Sequence, residues 1–244
     1  MPGTSDARER VAFDSNGTNQ TEATGHQYAT GYRHLVAMAM NPADNTLYAV
    51  QHGRDMLFEN WPEHFTVDQD AALPAEESVR ITEGSNNGWP YCFYDAVFQH
   101  KKLLAPEFSG DGPLTSGGTS PVDCGTVNQP LATFGAHWAP NGLTFYSGNQ
   151  FPDHYRGGAF IAFHGGFDRA PLPNEGFKVL FQPTGADGKP SGDAEVFADG
   201  FVGSTGTLPQ AAVHRPVGVT VGPDGSLYVS DDKGGRIYRI IYRP

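Results

Sequence analysis

The sequence predicts an all-β protein of the β-propeller class, and three observations predict it. First, the C-terminal run RPVGVTVGPDGSLYVSDDKGGRIYRIIY (Arg215–Tyr242) holds three short β-branched or aromatic stretches, Val217–Val221, Leu227–Ser230 and Arg236–Tyr242. Between them sit Pro223-Asp224-Gly225 and Lys233-Gly234-Gly235, residues that build hairpin turns. Second, the pattern has weaker echoes at His34–Gly53 and at Ala139–Gly166, each with two apolar strands around a turn. Units of this kind cannot bury their sheet faces alone and must stack on one another. Third, 31 glycines and 19 prolines make up about a fifth of the 244 residues, against an average of roughly 12%. That excess suits many tight turns.

The elements follow in order. Residues 1–8 read as a disordered lead, and 9–244 as one partial propeller domain. Glu9–Phe13 and His26–Thr30 read as two strands. His34–Val50 supplies a strand pair, Ser78–Thr82 a third strand, and Leu131–Phe134 a fourth after an irregular Gly/Pro/Ser-rich insertion, 87–127. Gly142–Tyr146, Ala159–Phe163, Phe177–Phe181 and Ala194–Phe197 read as the next sheet, and Val217–Tyr242 as three strands of the last. That is about three blades. Propellers close as rings, usually of four to eight, so the chain is expected to be part of a longer propeller or to close as a homodimer that covers its end sheets.

Sixteen Lys and Arg against 27 Asp and Glu leave a net charge of −11, which repels nucleic acid. No segment approaches the ~20 apolar residues of a membrane-spanning helix. Cys92 and Cys124 are either two separate buried thiols or a disulfide stapling the insertion. The second reading is favoured, because an irregular segment with little core gains most from a staple, and it points to an oxidising compartment. A Gly-x-Ser-x-Gly elbow and a dinucleotide fingerprint are both lacking.

The order ATGYRH, NNGWPYC, APNGLTFYSG, FPDHYRGGAFIAFHGGFDR and RPVGVTVGPDGSLYVSDDKGGRIYRI resembles the glucose/sorbosone dehydrogenase family. GWPYC and AFHGG are its more specific blocks, and the similarity runs from about Val11 to Tyr242. The resemblance implies a six-bladed propeller of the periplasm or cell exterior that oxidises a sugar with pyrroloquinoline quinone (PQQ) and Ca²⁺ and passes electrons to an external acceptor. This chain matches the C-terminal half to two-thirds of such a protein. The base that takes the sugar proton comes, in the family, from blades that precede this region.

A planar quinone bearing carboxylates needs cations around it and a Lewis acid at its reacting carbonyl. Arg33 matches the family's Gly-Leu-Arg-Asn pattern, whereas His34 replaces its asparagine. Arg215 holds the corresponding place in the last repeat. His164 and Arg169, in FHGGFDR, complete the expected cofactor set, and His164 is the candidate catalytic group. The backbone carbonyls of Gly53 and Arg54 are expected to ligate calcium, with Asp55 nearby. Trp89 is expected to anchor the insertion by packing, and Asp231-Asp232 to satisfy turn amides. Two other classes are weighed: a non-catalytic propeller that binds carbohydrate or protein, and a metal-dependent lactonase. The latter is disfavoured because few carboxylates sit at the strand starts.

Overall fold

Alternation with a period of two sets the first hairpin. In His34–Asn41 (β1), Val36, Met38 and Met40 face outward while Ala37 and Ala39 turn toward the core. Asn45 adopts a left-handed φ of 52° and turns the chain into Thr46–His52 (β2). Two short helices follow, Leu57–Asn60 (α1) and Val67–Ala72 (α2). Thr66 caps α2, accepting from the Gln69 amide while the Gln69 side chain accepts from the Thr66 amide, which satisfies two otherwise orphaned donors. Glu76–Ile81 (β3) pairs antiparallel with β2. A separate hairpin of Cys92–Asp95 (β4) and Lys101–Leu104 (β5), with helix Pro106–Ser109 (α3), precedes Ala132–Phe134 (β6). β6 returns to β3 and gives a four-stranded sheet of order β1-β2-β3-β6.

The second sheet has the same order in chain sequence: Pro140–Phe145 (β7), Ala159–Phe163 (β8), Lys178–Gln182 (β9) and Glu195–Ala198 (β10). Pro216–Val221 (β11), Leu227–Asp231 (β12) and Arg236–Ile240 (β13) make a three-stranded third. The first strands lie side by side, β7 against both β1 and β11. Tyr48, Val50, Phe134, Leu143, Ile161 and Phe163 fill the space between sheets one and two. Phe151, Phe160, Phe181, Val219, Leu227 and Val229 fill the space between two and three. Each fully buried Phe or Leu contributes about 1.5–3 kcal/mol by leaving water.

This computed structural model describes residues 27–110, 114, 119–204 and 208–244. The expected lead 1–8 and strand Glu9–Phe13 lie outside them. The protein is mostly β-sheet, as expected, and the strands of the later repeats fall within two residues of their expected bounds. Two expectations are corrected, and two short helices are added. His26–Thr30 forms no strand among its described residues: Tyr28 and Thr30 bond the loop Gly84–Asn87, with a single bridge from Thr30 to Asn86. The insertion is not irregular throughout, because β4, β5 and α3 organise it. α1 and α2 were not foreseen, since helices of four and six residues are too short to show a period. Cys92 and Cys124 form the expected disulfide.

Candidate functional site

Strand register places the candidate residues at one end of all three sheets. His34 at the start of β1 pairs with His52 at the end of β2. Pro140 at the start of β7 pairs with Phe163 at the end of β8, and Pro216 at the start of β11 with Asp231 at the end of β12. Arg33, Ala139 and Arg215 therefore occupy the same place in successive sheets, immediately before the first strand. Gly53, His164 and Asp232 occupy the matching place just after the second, with His52 the last residue of β2.

Bonds between sheets join these ends into one rim. His52 Nε2 lies 2.8 Å from Asn141 Oδ1 and 3.2 Å from the Pro140 carbonyl, and the His34 and His52 rings are 4.8 Å apart. Arg215 donates through Nε to the His164 carbonyl at 3.1 Å and also to the Gly165 carbonyl. His164 Nε2 in turn sits 3.0 and 3.1 Å from the two carboxylate oxygens of Asp232. Burial lowers the His164 pKa against the opposing pull of Asp232, and burial likewise lowers that of His52. Both imidazoles are thereby biased toward the neutral form, which can accept a proton.

Around Gly53 the rim is strongly polar. Arg33 donates to the Gly53 carbonyl and, at 3.3 Å, to Asp55 Oδ2. Glu76 is buried at the start of β3 and accepts from the Gly53 amide at 2.8 Å and the Ala139 amide at 3.1 Å, tying the first sheet to the second. Burial pushes its pKa up to about 7. His137 Nδ1 lies 3.2 Å from Asp55 Oδ1, and its Nε2 3.0 Å from the Asp70 carbonyl. Burial alone would lower the His137 pKa, but Asp55 and that carbonyl outweigh it and raise it. Asp55 moves the opposite way: burial is overcome by His137 and Arg33, and its pKa falls.

Arg33, His34, His164 and Arg215 are thus brought together on the rim. Arg54 contributes only its backbone there. Its guanidinium turns into the insertion, where it grips both Glu107 oxygens at 2.5 and 3.0 Å and lies over the Trp61 ring. Arg169 is likewise turned away: it is buried and donates to the Ala136 and Pro173 carbonyls, so its charge organises a loop. Trp89 lies under the guanidinium of Arg33 at 5.5 Å. Asp231 does satisfy turn amides, accepting from Arg215 and Gly234, and it also holds His214 at 2.6 Å.

Sequence reasoning missed Asp232 as the partner of His164 and missed Glu76 altogether; His52, His137 and His214 stood out only as histidines near strand ends, read as structural, without their partners. Their contacts join residues far apart in the chain, and no local pattern marks them. The fit of a quinone and calcium can be tested on the donors present. Arg33 and Arg215 are cations held on backbone carbonyls with their side chains only partly buried, which suits carboxylate recognition. The Gly53 carbonyl already holds one cation, the Arg33 guanidinium, and such a hard oxygen is a donor calcium takes. The residues fit both groups.

The family model described as TrAA12-like matches residues 7–243. The chain is similar to a protein of Borreliella burgdorferi described as uncharacterized, 28% identical over 217 residues, covering 88% of this chain and 48% of that one. Among solved structures it is similar to the calcium structure of Trichoderma reesei Carbohydrate-Active Enzymes Family AA12, with TM-score 0.64, 21% identity, 86% of this chain and 52% of that one. A crystal structure of a glucose dehydrogenase is also similar, with TM-score 0.55, 20% identity, 91% of this chain and 49% of that one. The chain spans about half the length of these relatives.

Proposed function

We propose, from the premise that the chain belongs to the TrAA12-like family, that its rim is one face of a PQQ- and calcium-binding site for sugar oxidation. The three sheets are read as three consecutive blades, and the rim as the channel end of their first strands. The observation that carries this reading is the convergence of Arg33, His34, His52, His164 and Arg215 on one end of three sheets through strand register. A simple scaffold has no need of two arginines and three imidazoles at equivalent strand ends. The names of the solved relatives, an AA12 enzyme and a glucose dehydrogenase, agree with a carbohydrate oxidoreductase.

PQQ with bound calcium would supply the hydride acceptor and a Lewis acid for its carbonyl. The chain's own residues would do the rest of what is assigned here. Arg33 and Arg215 would neutralise carboxylates. His164, oriented by Asp232 and biased toward its neutral form, would hydrogen-bond the bound ring or accept a proton at Nδ1. Gly53 and Arg54 would offer carbonyls to calcium, with Arg33 swinging from the Gly53 oxygen to the ligand. Because the chain spans half the length of its relatives, it is assigned a share of the site rather than the whole reaction.

The test is a PQQ titration of the purified chain with and without calcium, read by absorbance. Saturable binding that needs calcium is expected. Arg215→Ala should weaken it by about tenfold or more, the loss of one charge-assisted contact of about 1.5–3 kcal/mol. Absence of saturable binding at any calcium concentration would sink the proposal for this chain.

A further inference from the structure

We infer that Asp55, His137 and Asp168 form a binding site for a divalent first-row transition-metal cation, separate in chemistry from the oxygen-only calcium site proposed above. Their ligand atoms all lie within 4.8 Å of one another. They come from three segments: the loop after β2, the turn before β7 and the loop after β8.

The imidazole carries the argument. His137 is buried, its side chain 3% exposed, and its Nε2 faces the Asp70 carbonyl, which can only accept. The neutral ring therefore keeps its single proton on Nε2. Its Nδ1 then presents a lone pair to Asp55 Oδ1, another acceptor, 3.2 Å away. Two acceptors at that separation require something positive between them, either a second proton or a metal ion. With bonds of about 2.1 Å to nitrogen and oxygen, a cation would span 3.2 Å at an angle of about 100°, between tetrahedral and octahedral values.

The three side chains are also anchored as metal ligands commonly are, through the atom turned away from the site. His137 is held by the Asp70 carbonyl, Asp55 Oδ2 by Arg33 and Asp168 Oδ2 by the Met56 amide. Each is left with one more donor atom: Nδ1, Oδ1 and Oδ1. Glu59 and Asp70 bring two more carboxylates within reach of Asp168. Arg33 pairs with Asp55 Oδ2, but no Lys or Arg of the described residues pairs with Glu59, Asp70 or Asp168, so carboxylates outnumber cations around the cluster and the local field favours a further cation. A nitrogen with two carboxylates selects zinc-like or manganese-like ions over calcium, which takes oxygen alone. Asp55 is partly exposed and leaves a path for the ion to enter.

Cobalt(II) is the probe, since a mixed imidazole and carboxylate site gives it visible absorption. The chain, stripped with chelator and free of quinone, should bind one equivalent saturably. Zn²⁺ should displace it and excess Ca²⁺ should not. His137→Gln and Asp168→Asn should each weaken binding tenfold or more. Asp168→Asn keeps an oxygen for the Met56 amide and leaves the buried ring in place, so it tests the site should His137→Gln fail to fold. Weak binding without a fixed stoichiometry, or binding unchanged in Asp168→Asn, means that the second proton sits between His137 and Asp55, and overturns the inference. This result is independent of the PQQ titration, so either reading can fail alone.

Discussion

The two four-stranded sheets share one strand order and differ in how their last strand is reached. In the second sheet, residues 183–194 carry the chain from β9 to β10. In the first, residues 82–131 intervene between β3 and β6 and bring a hairpin, a helix and the disulfide with them. Their interiors differ too. The second sheet is packed with aromatic rings, Tyr146, Phe151, Phe160 and Phe181 among them. The first carries buried charge, Glu76 and Glu77 on β3, and its insertion adds Lys102 on β5, all less than a tenth exposed. A sheet that accepts a long insertion must still fasten it, and here the fastening is polar. Lys102 on β5 meets Glu77 on β3 at 3.2 Å and the Asn87 carbonyl at 2.5 Å. Phe93 and Leu103 of the insertion also share one apolar cluster with Leu57, Phe65 and Leu73 from the segment between β2 and β3.

The sharpest way to break the contrast is Lys102→Ala. It leaves the Glu77 carboxylate buried without a cation, and removing one partner of a buried pair costs about 3–5 kcal/mol. Denaturant unfolding should show that loss, and protease should cut the insertion first. A change below about 1 kcal/mol would mean that apolar packing alone fastens the insertion. Replacing both Cys92 and Cys124 with Ser should cost somewhat less, about 3–4 kcal/mol for a loop of this length. Here too cleavage should begin in the insertion while the aromatic second sheet stays protected. Uniform loss of protection across both sheets would erase the distinction between them.

Much of the regular part was legible. Val217–Val221 and Leu227–Ser230 announced β11 and β12 because alternating apolar residues between glycine-bearing turns have few other uses. The strand-end places of Arg33, His34, His164 and Arg215 were legible from the repeats, whereas the roles expected of them came from the family resemblance. The first sheet's insertion was less so. α3, β4 and β5 are four residues each, too short to show a period. Lys102 looked like any surface lysine, because its partner lies on a strand more than twenty residues earlier. Arg169 misled in the opposite sense: its place beside His164 suggested a ligand, yet it reaches back to the Ala136 carbonyl, a contact that no local sequence records.

The smallest expected effect is the pH dependence of the first sheet. Glu76 has its pKa raised by burial from 4.5 to about 7. The folded state therefore holds this proton more tightly than the unfolded chain does. Its contribution is fully present below about pH 4.5 and is lost as pH rises toward about 7, by no more than about 3 kcal/mol. Asp70, raised to about 6 chiefly by burial, adds a slope of the same sign. His52 and His164, lowered by burial, oppose it. The informative quantity is thus the difference between the wild type and Glu76→Gln, measured by urea unfolding across that range. The variant sets an amide NH2 against one of the two backbone N–H groups that Glu76 accepts, so it starts about 1–3 kcal/mol less stable at low pH. As pH rises the wild type should lose stability faster, and the two curves should converge near neutrality. Parallel curves would show that Glu76 stays ionised in the folded state, its charge carried by the Gly53 and Ala139 amides. The first sheet would then be no more sensitive to pH than its aromatic neighbour.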